Sequence, residues 1–240
     1  MTTTRPPRPL VVAHRGAATV APEHTIPAYE SAVAAGVDAL WLDAQESADA
    51  QIVVVHDARL ERTTNGRGAV RERSVRELKR LDAGRWFGWR FRGQRIQTLS
   101  EVLERFRDRV GFVVALRAGS DVYPGIEERL LGLLHLYGVA DQTLVASPDQ
   151  HALARCHALD GDVRLGTMVP GRLLQPATLA PSGLLTALCL DAATALEPDV
   201  SMSRAAGLET YLGVIDDVTD ARRMAGWGPT ALVLRSGFDV

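Results

Sequence analysis

Cysteine is almost missing from this chain: Cys156 and Cys189 are the only two in 240 residues. They lie far apart in apolar stretches, so neither a disulfide framework nor a thiolate metal site is suggested, and both read as small buried hydrophobes. Net charge is scarce too, since 27 Lys/Arg against 29 Asp/Glu leave −2. That balance gives no general electrostatic case for nucleic acid or an anionic membrane as partner, and any basic character must be local. Hydrophobic runs stay well short of a membrane span, and the opening MTTTRPPRP has no apolar core of a signal peptide. A cytoplasmic protein without stable membrane insertion is the expectation. No Pro/Gly/Ser-rich linker divides the chain, which points to one domain over 1–240 with a flexible tail at 1–9.

What the chain does have is two apolar runs that end in histidine. VVAH leads into His14-Arg15-Gly16 and, after a small-residue loop, Pro22-Glu23-His24-Thr25; IVVVHD brings His56 and Asp57 in the same way. An imidazole beside a guanidinium at a strand end suits an anion, and two such histidines suit acid/base work. Between them, Val37 to Ala44 reads as a strand with Trp41 and Asp43 on one face and Leu42 on the other. A parallel crossover needs about a dozen residues, so the strand at 52–56 must be a hairpin partner or an irregular piece of wall.

Thr25 is placed to cap a helix over 26–35 that Gly36 ends. Residues 57–97 hold RTTNGRG, a capping box at Ser74-x-x-Glu77 and the run GRWFGWRFRGQR. This is too long for a simple loop and is predicted to be an insertion over a barrel mouth. Trp86, Phe87, Trp89 and Phe91 read as its local core, with Arg85, Arg90, Arg92 and Arg95 snorkelling around them. From Thr98 onward, helices near 98–109, 125–137, 150–159 and 218–224 are interspersed with strands at 112–117, 142–147, 163–168, 185–190, 211–215 and 231–234. Such alternation argues for a parallel sheet in an α/β fold. The strand candidates number one more than the eight a barrel needs, so either 52–56 or 185–190 is not a barrel strand. His14, Asp43, His56 and Arg117 all fall at strand carboxyl ends, where such barrels keep their sites.

The motifs HRG (14–16), PEHT (22–25), VVVHD (53–57), RTT (62–64) and LDAG (81–84) occur in the order seen in the glycerophosphodiester phosphodiesterase family, which this chain resembles most strongly over 10–87. The resemblance implies a TIM-type (β/α)8 barrel that hydrolyses a glycerophosphodiester to glycerol 3-phosphate and an alcohol. It assigns catalysis to His14 and His56 and the substrate phosphate to Arg15, with Glu23 and Asp57 in support. The implied partner is a small phosphodiester or phosphate-bearing ligand, with no nucleic acid.

It also implies a divalent cation, Mg2+ or Ca2+, on three carboxylates: both acids of a Glu-x-Asp strand and the Glu of a later Glu-x-Lys strand. Here those strands read Trp41-Leu42-Asp43 and Ala115-Leu116-Arg117, so Asp43 alone remains and the cation is expected to be weak or absent. Arg117 could hold phosphate bidentately, or could close the pocket by pairing with Asp43. The family's PENT asparagine is His24. Three readings stand: an active phosphodiesterase, a pseudoenzyme that binds a phosphate-bearing ligand or partner without turnover, and a metal-independent, arginine-assisted phosphotransfer.

Overall fold

Each barrel strand is a short apolar run bounded by turn residues, and most are followed by a helix that covers the outer face. The computed structural model describes residues 8–179 and 183–239. In chain order the elements are β1 (Leu10–His14), α1 (Ile26–Ala34), β2 (Ala39–Glu46), β3 (Ile52–Val54), α2 (Val75–Leu78), β4 (Gln97–Thr98), α3 (Leu99–Phe106), β5 (Gly111–Leu116), α4 (Ile126–Leu136), β6 (Thr143–Ser147), α5 (Gln150–Leu159), β7 (Arg164–Val169), β8 (Ala187–Asp191), α6 (Glu197–Ala205), β9 (Glu209–Ile215), α7 (Val218–Ala225) and β10 (Ala231–Leu234). Eight parallel strands run β1-β10-β9-β8-β7-β6-β5-β2, and the β1–β2 pairing closes the barrel. The surplus strand is β3, which is antiparallel to β2, whereas 187–191 belongs to the wall. The hairpin expectation for 52–56 therefore holds.

Alternation along the strands sorts side chains into two cores. Leu40, Leu42, Phe112 and Leu116 face the helices, meeting Tyr29, Phe106 and Leu130, and all are buried. Each such burial is worth about 1.5–3 kcal/mol. Val12, Trp41, Val113, Ala115, Cys189, Tyr211 and Val233 fill the lumen instead. Both cysteines are buried, and burial alone pushes the Cys189 thiol up to about 12.

Several boundaries differ from the sequence expectation. Thr25 does not cap α1 with its side chain, because its hydroxyl donates to the Pro22 carbonyl at 2.6 Å. Gly36 does take the left-handed backbone expected of it (φ 79°). Helix α6 was not anticipated: it buries only Asp199, Val200 and Ser203 and so shows no apolar stripe. The expected tail lies outside the described residues except for Arg8 and Pro9, and Arg8 forks onto Asp38 at 2.8 and 2.9 Å.

The insertion has a core of its own, where Leu60, Val70, Leu78, Ala83 and Ile96 pack on Val53 and Val55. Ser74 and Glu77 form the expected capping box. The LDAG motif has a mechanical explanation: Asp82 accepts backbone N–H bonds from Gly84, Arg85 and Gly93, each at 2.9 Å. A Cβ on Gly84 would come within 1.9 Å of the Phe91 carbonyl oxygen, so no larger residue fits there.

Candidate active site

The site is assembled along one edge of β2. Strand β1 pairs with the first half of β2, ending at His14 opposite Trp41. The chain then turns away at Arg15 and Gly16, both with positive φ (63° and 81°), and a Cβ on Gly16 would lie 2.7 Å from the Ala28 backbone. The vacated edge of β2 is taken by the β3 arm, whose Val55 N–H donates to the Asp43 carbonyl at 2.9 Å. Gln45 pins that arm by donating to the carbonyls of Val55 and His56. His14 and His56 thus end neighbouring segments on the same side of β2, with Asp43 between.

Asp43 is buried and fully engaged. Its Oδ2 lies 2.9 Å from Nε2 of His24 and 3.0 Å from Nε of Arg15, and its Oδ1 faces the Trp41 indole N–H at 3.4 Å. The Arg15 Nε has no hydrogen bond of good angle, so that contact is an ion pair. A carboxylate can only accept, so His24 donates from Nε2 and receives the Tyr29 hydroxyl at Nδ1, 2.9 Å away. Burial holds the His24 pKa down against the pull of Asp43. Burial also opposes charge on Asp43, yet the His24 bond and the Arg15 charge keep its carboxyl well below the usual range.

A second set of ion pairs continues outward. Arg15 Nη1 meets Glu23 at 3.0 Å, Arg62 forks onto Glu23 at 2.7 and 2.8 Å, and the same Arg62 reaches Asp57 at 2.5 Å. Asp57 in turn accepts from Nδ1 of His56 at 2.6 Å, leaving Nε2 for proton transfer. Burial works against ionisation of Glu23, but the Arg62 hydrogen bonds and the Arg15 charge outweigh it and bring it down to about 2. For Asp57, Arg62 is the main cause of a fall to about 2.

Beside this network a cavity of about 420 Å³ opens at the carboxyl ends of the strands, within the range of small-molecule sites. Its wall is apolar (Trp41, Met168, Leu190, Tyr211, Val233), while Arg15, Arg117 and Arg235 bring positive charge and Asp43 and Asp191 negative. His14 lines it, buried, with no hydrogen-bond partner for Nδ1. Burial and then the charge of Arg15 lower the His14 pKa to about 3, so the site holds a neutral imidazole.

The structure therefore brings together His14, Arg15, Asp43 and Arg117 at one cavity. His56, Asp57 and Glu23 stand next door, with His56 and Glu23 on a separate small cleft. Arg117 is not paired with Asp43: among the described residues it has no ion pair, because Arg15 and His24 already occupy that carboxylate. Sequence reasoning undervalued Arg235 and Asp191. Strand parity could have found both, since Val233 and Cys189, two residues earlier, face the lumen. The acids at 216–220 are accounted for without a ligand, with Asp217 capping α7 and Asp216 on Arg235 at 3.2 Å.

A family model, the glycerophosphoryl diester phosphodiesterase family, matches residues 14–234. The chain belongs to this family. It is 31% identical to a glycerophosphodiester phosphodiesterase of Bacillus subtilis over 245 aligned positions, covering 95% of this chain and 83% of that one. It is 37% identical to one from Caldanaerobacter subterraneus over 71% of each chain. Among solved structures, an Oleispira antarctica phosphodiesterase in complex with the product sn-glycerol-3-phosphate superposes with a TM-score of 0.90 at 26% identity, over 97% of this chain and 95% of that one. A glycerophosphodiester phosphodiesterase from Agrobacterium tumefaciens gives 0.83 at 28%, over 95% and 96%. The alternative of a pocket that binds without turnover draws no support from these relatives. Among the described residues no helix is long and apolar enough to cross a membrane.

Proposed function

We propose that this chain hydrolyses a glycerophosphodiester to glycerol 3-phosphate and an alcohol in the cavity at the barrel mouth. The observation that carries the reading is the pairing, in one 420 Å³ cavity, of the uncommitted Arg117 guanidinium with the unpartnered Nδ1 of His14. Among the described residues Arg117 has no counter-anion and His14 no hydrogen-bond partner at Nδ1; a phosphodiester supplies the first and the hydroxyl of its attacking nucleophile the second. The Oleispira relative is in complex with the product sn-glycerol-3-phosphate, which supports a substrate of this class.

The divalent cation that family membership implies does not fit these donors. Both oxygens of Asp43 are engaged by nitrogen groups, its register partner on β5 is the methyl of Ala115, and Trp41 offers an indole. Among the described residues no group of three His, Cys, Asp or Glu side chains is arranged to hold a metal ion. Positive charge for the phosphoryl oxygens falls instead to Arg117 and Arg15, with Arg235 on the same wall, and fixed guanidinium groups stabilise charge that grows in the transition state. His14, a neutral imidazole, takes a proton from the attacking oxygen. His56, oriented through Nδ1 by Asp57, gives one to the departing alkoxide.

The decisive experiment is release of glycerol 3-phosphate from glycerophosphocholine by the purified protein, with Mg2+, Ca2+ or EDTA in parallel. Turnover that survives EDTA is expected. Silence in all arms would overturn the reaction itself, and turnover abolished by EDTA would overturn only its independence of metal. A cyclic glycerol phosphate seen by 31P NMR would place the attack on the substrate's own hydroxyl rather than on water.

A further inference from the structure

We propose that the insertion is a docking surface for an anionic lipid bilayer, seated through the Trp86–Arg92 turn beside the cavity mouth. This holds independently of the catalytic reading. The chain as a whole is slightly acidic, but its charge is segregated. Residues 57–97 contain twelve Lys/Arg and five Asp/Glu, a net of +7, which leaves −9 for the rest of the molecule. From Ala83 to Ser100 there is no acidic residue, yet four arginines occur there: Arg85, Arg90, Arg92 and Arg95.

These four are exposed and make no ion pair among the described residues, unlike Arg105 and Arg109, which both close on Glu30. The aromatic residues between them divide into two groups. Phe87 and Phe91 are half-buried and stack edge to face, with Trp86 on Phe87. Trp89 stands out at 67% exposure and Trp86 at 41%, so the expected cap core is only partly one. The Trp89 ring is flanked by the guanidinium groups of Arg85 and Arg92 at 5.2 and 5.0 Å. Asp82 and its three backbone bonds hold this turn from beneath, so the exposed indole is presented by a built loop.

An amphipathic indole among unpaired guanidinium groups matches the headgroup layer, where Trp sits at the interface and each basic residue near an anionic surface adds attraction. Nucleic acid is the weaker fit, since a stacking platform needs its aromatic face free, and here two arginines engage it. The position also has a purpose. Arg90 donates to the Val20 carbonyl at 3.0 Å, and Val20, itself 49% exposed, belongs to the loop that leaves His14 and Arg15 for Glu23. Docking through this turn holds the mouth against the surface.

The test is co-sedimentation of the intact protein with vesicles of phosphatidylcholine alone and of phosphatidylcholine mixed with phosphatidylglycerol, at low and raised salt. Binding to the mixed vesicles only is expected, weakened by salt. Arg85→Gln and Arg92→Gln are each expected to lower the partition coefficient about fivefold, and Trp89→Ser to reduce the blue shift of tryptophan emission on binding. All three positions are exposed, so unchanged thermal melts separate lost docking from lost folding. Equal binding to neutral vesicles, no binding to either, or variants that bind like the parent would overturn the proposal. Capture of a labelled oligonucleotide without vesicle binding would overturn it in favour of nucleic acid.

Discussion

The deepest carboxylate of the site, Asp43, is held by the ring of His24, its Oδ2 lying 2.9 Å from Nε2. An imidazole and a guanidinium thus both close on this one carboxylate, and Asp43 acts as the keystone of the mouth. Asp43→Asn should leave Arg15 with only Glu23 for compensation, and breaking a buried pair costs about 3 kcal/mol or more. Urea denaturation of the variant checks this. A loss below about 1 kcal/mol would mean that the contact carries little of the fold.

Acid should unfold the protein in two stages with identifiable origins. Glu23 and Asp57 have folded pKa values depressed to about 2. Their stabilisation is present above the ordinary carboxylate range near 4 and is lost as pH falls toward 2. His14 is depressed to about 3, so the unfolded chain binds its proton first, and stability also falls as pH drops from about 6.5 toward 3. In His14→Gln the slope between pH 6 and 4 should flatten, as measured by denaturant midpoints across that range.

Arg117 has no partner to lose. Arg117→Gln should leave the melting temperature within about a degree or two of the parent, while binding of inorganic phosphate or glycerol 3-phosphate weakens about 10- to 100-fold. Calorimetric titration reads both arms of this expectation. A variant that binds phosphate as well as the parent would remove Arg117 from the anion site.

Asp57 fixes which nitrogen of His56 carries the proton. Asp57→Asn should lower kcat about 100-fold with KM little changed, because proton transfer and not binding is disturbed. Steady-state kinetics with a glycerophosphodiester decides it, and a change confined to KM would make Asp57 part of the substrate pocket instead.

Gly16 sits against Ala28 with a positive φ. Gly16→Ala adds a methyl to a position with no room and the wrong backbone, and should cost about 2 kcal/mol. The thermal midpoint should fall together with phosphate binding, since the same turn aims His14 and Arg15.

Much of this was legible because barrel strands are local objects. The apolar runs expected at 10–14, 37–44, 112–117, 142–147 and 231–234 form strands at or within two residues of those bounds, and strand parity correctly groups Trp41 with Asp43 on the lumen side. Helix α6 escaped notice because its buried face is Asp199, Val200 and Ser203, a face that looks polar. The Arg172 guanidinium on Asp199 makes that burial possible, and it comes from 27 residues away. The engagement of Asp43 was hidden for the same reason. Nothing near His24 in sequence announces that a left-handed backbone (φ 57°) will aim its ring at a strand nineteen residues on. Arg117 was correctly placed at a strand end, but whether it would pair with Asp43 depended on Arg15 and His24, which hold that carboxylate.

The β3 arm leaves one loose end in an otherwise closed sheet. A barrel has no free edge, whereas β2 carries β3, and β3 carries β4, whose outer side pairs with no further strand among the described residues. Strand β4 is two residues long and runs directly into the capping box of Thr98 and Glu101 at the start of α3. Its unpaired backbone groups are therefore too few to template another chain, and the helix begins before an intruding strand could find register. The β3 and β4 arm beside the mouth thus ends in a strand edge only two residues long.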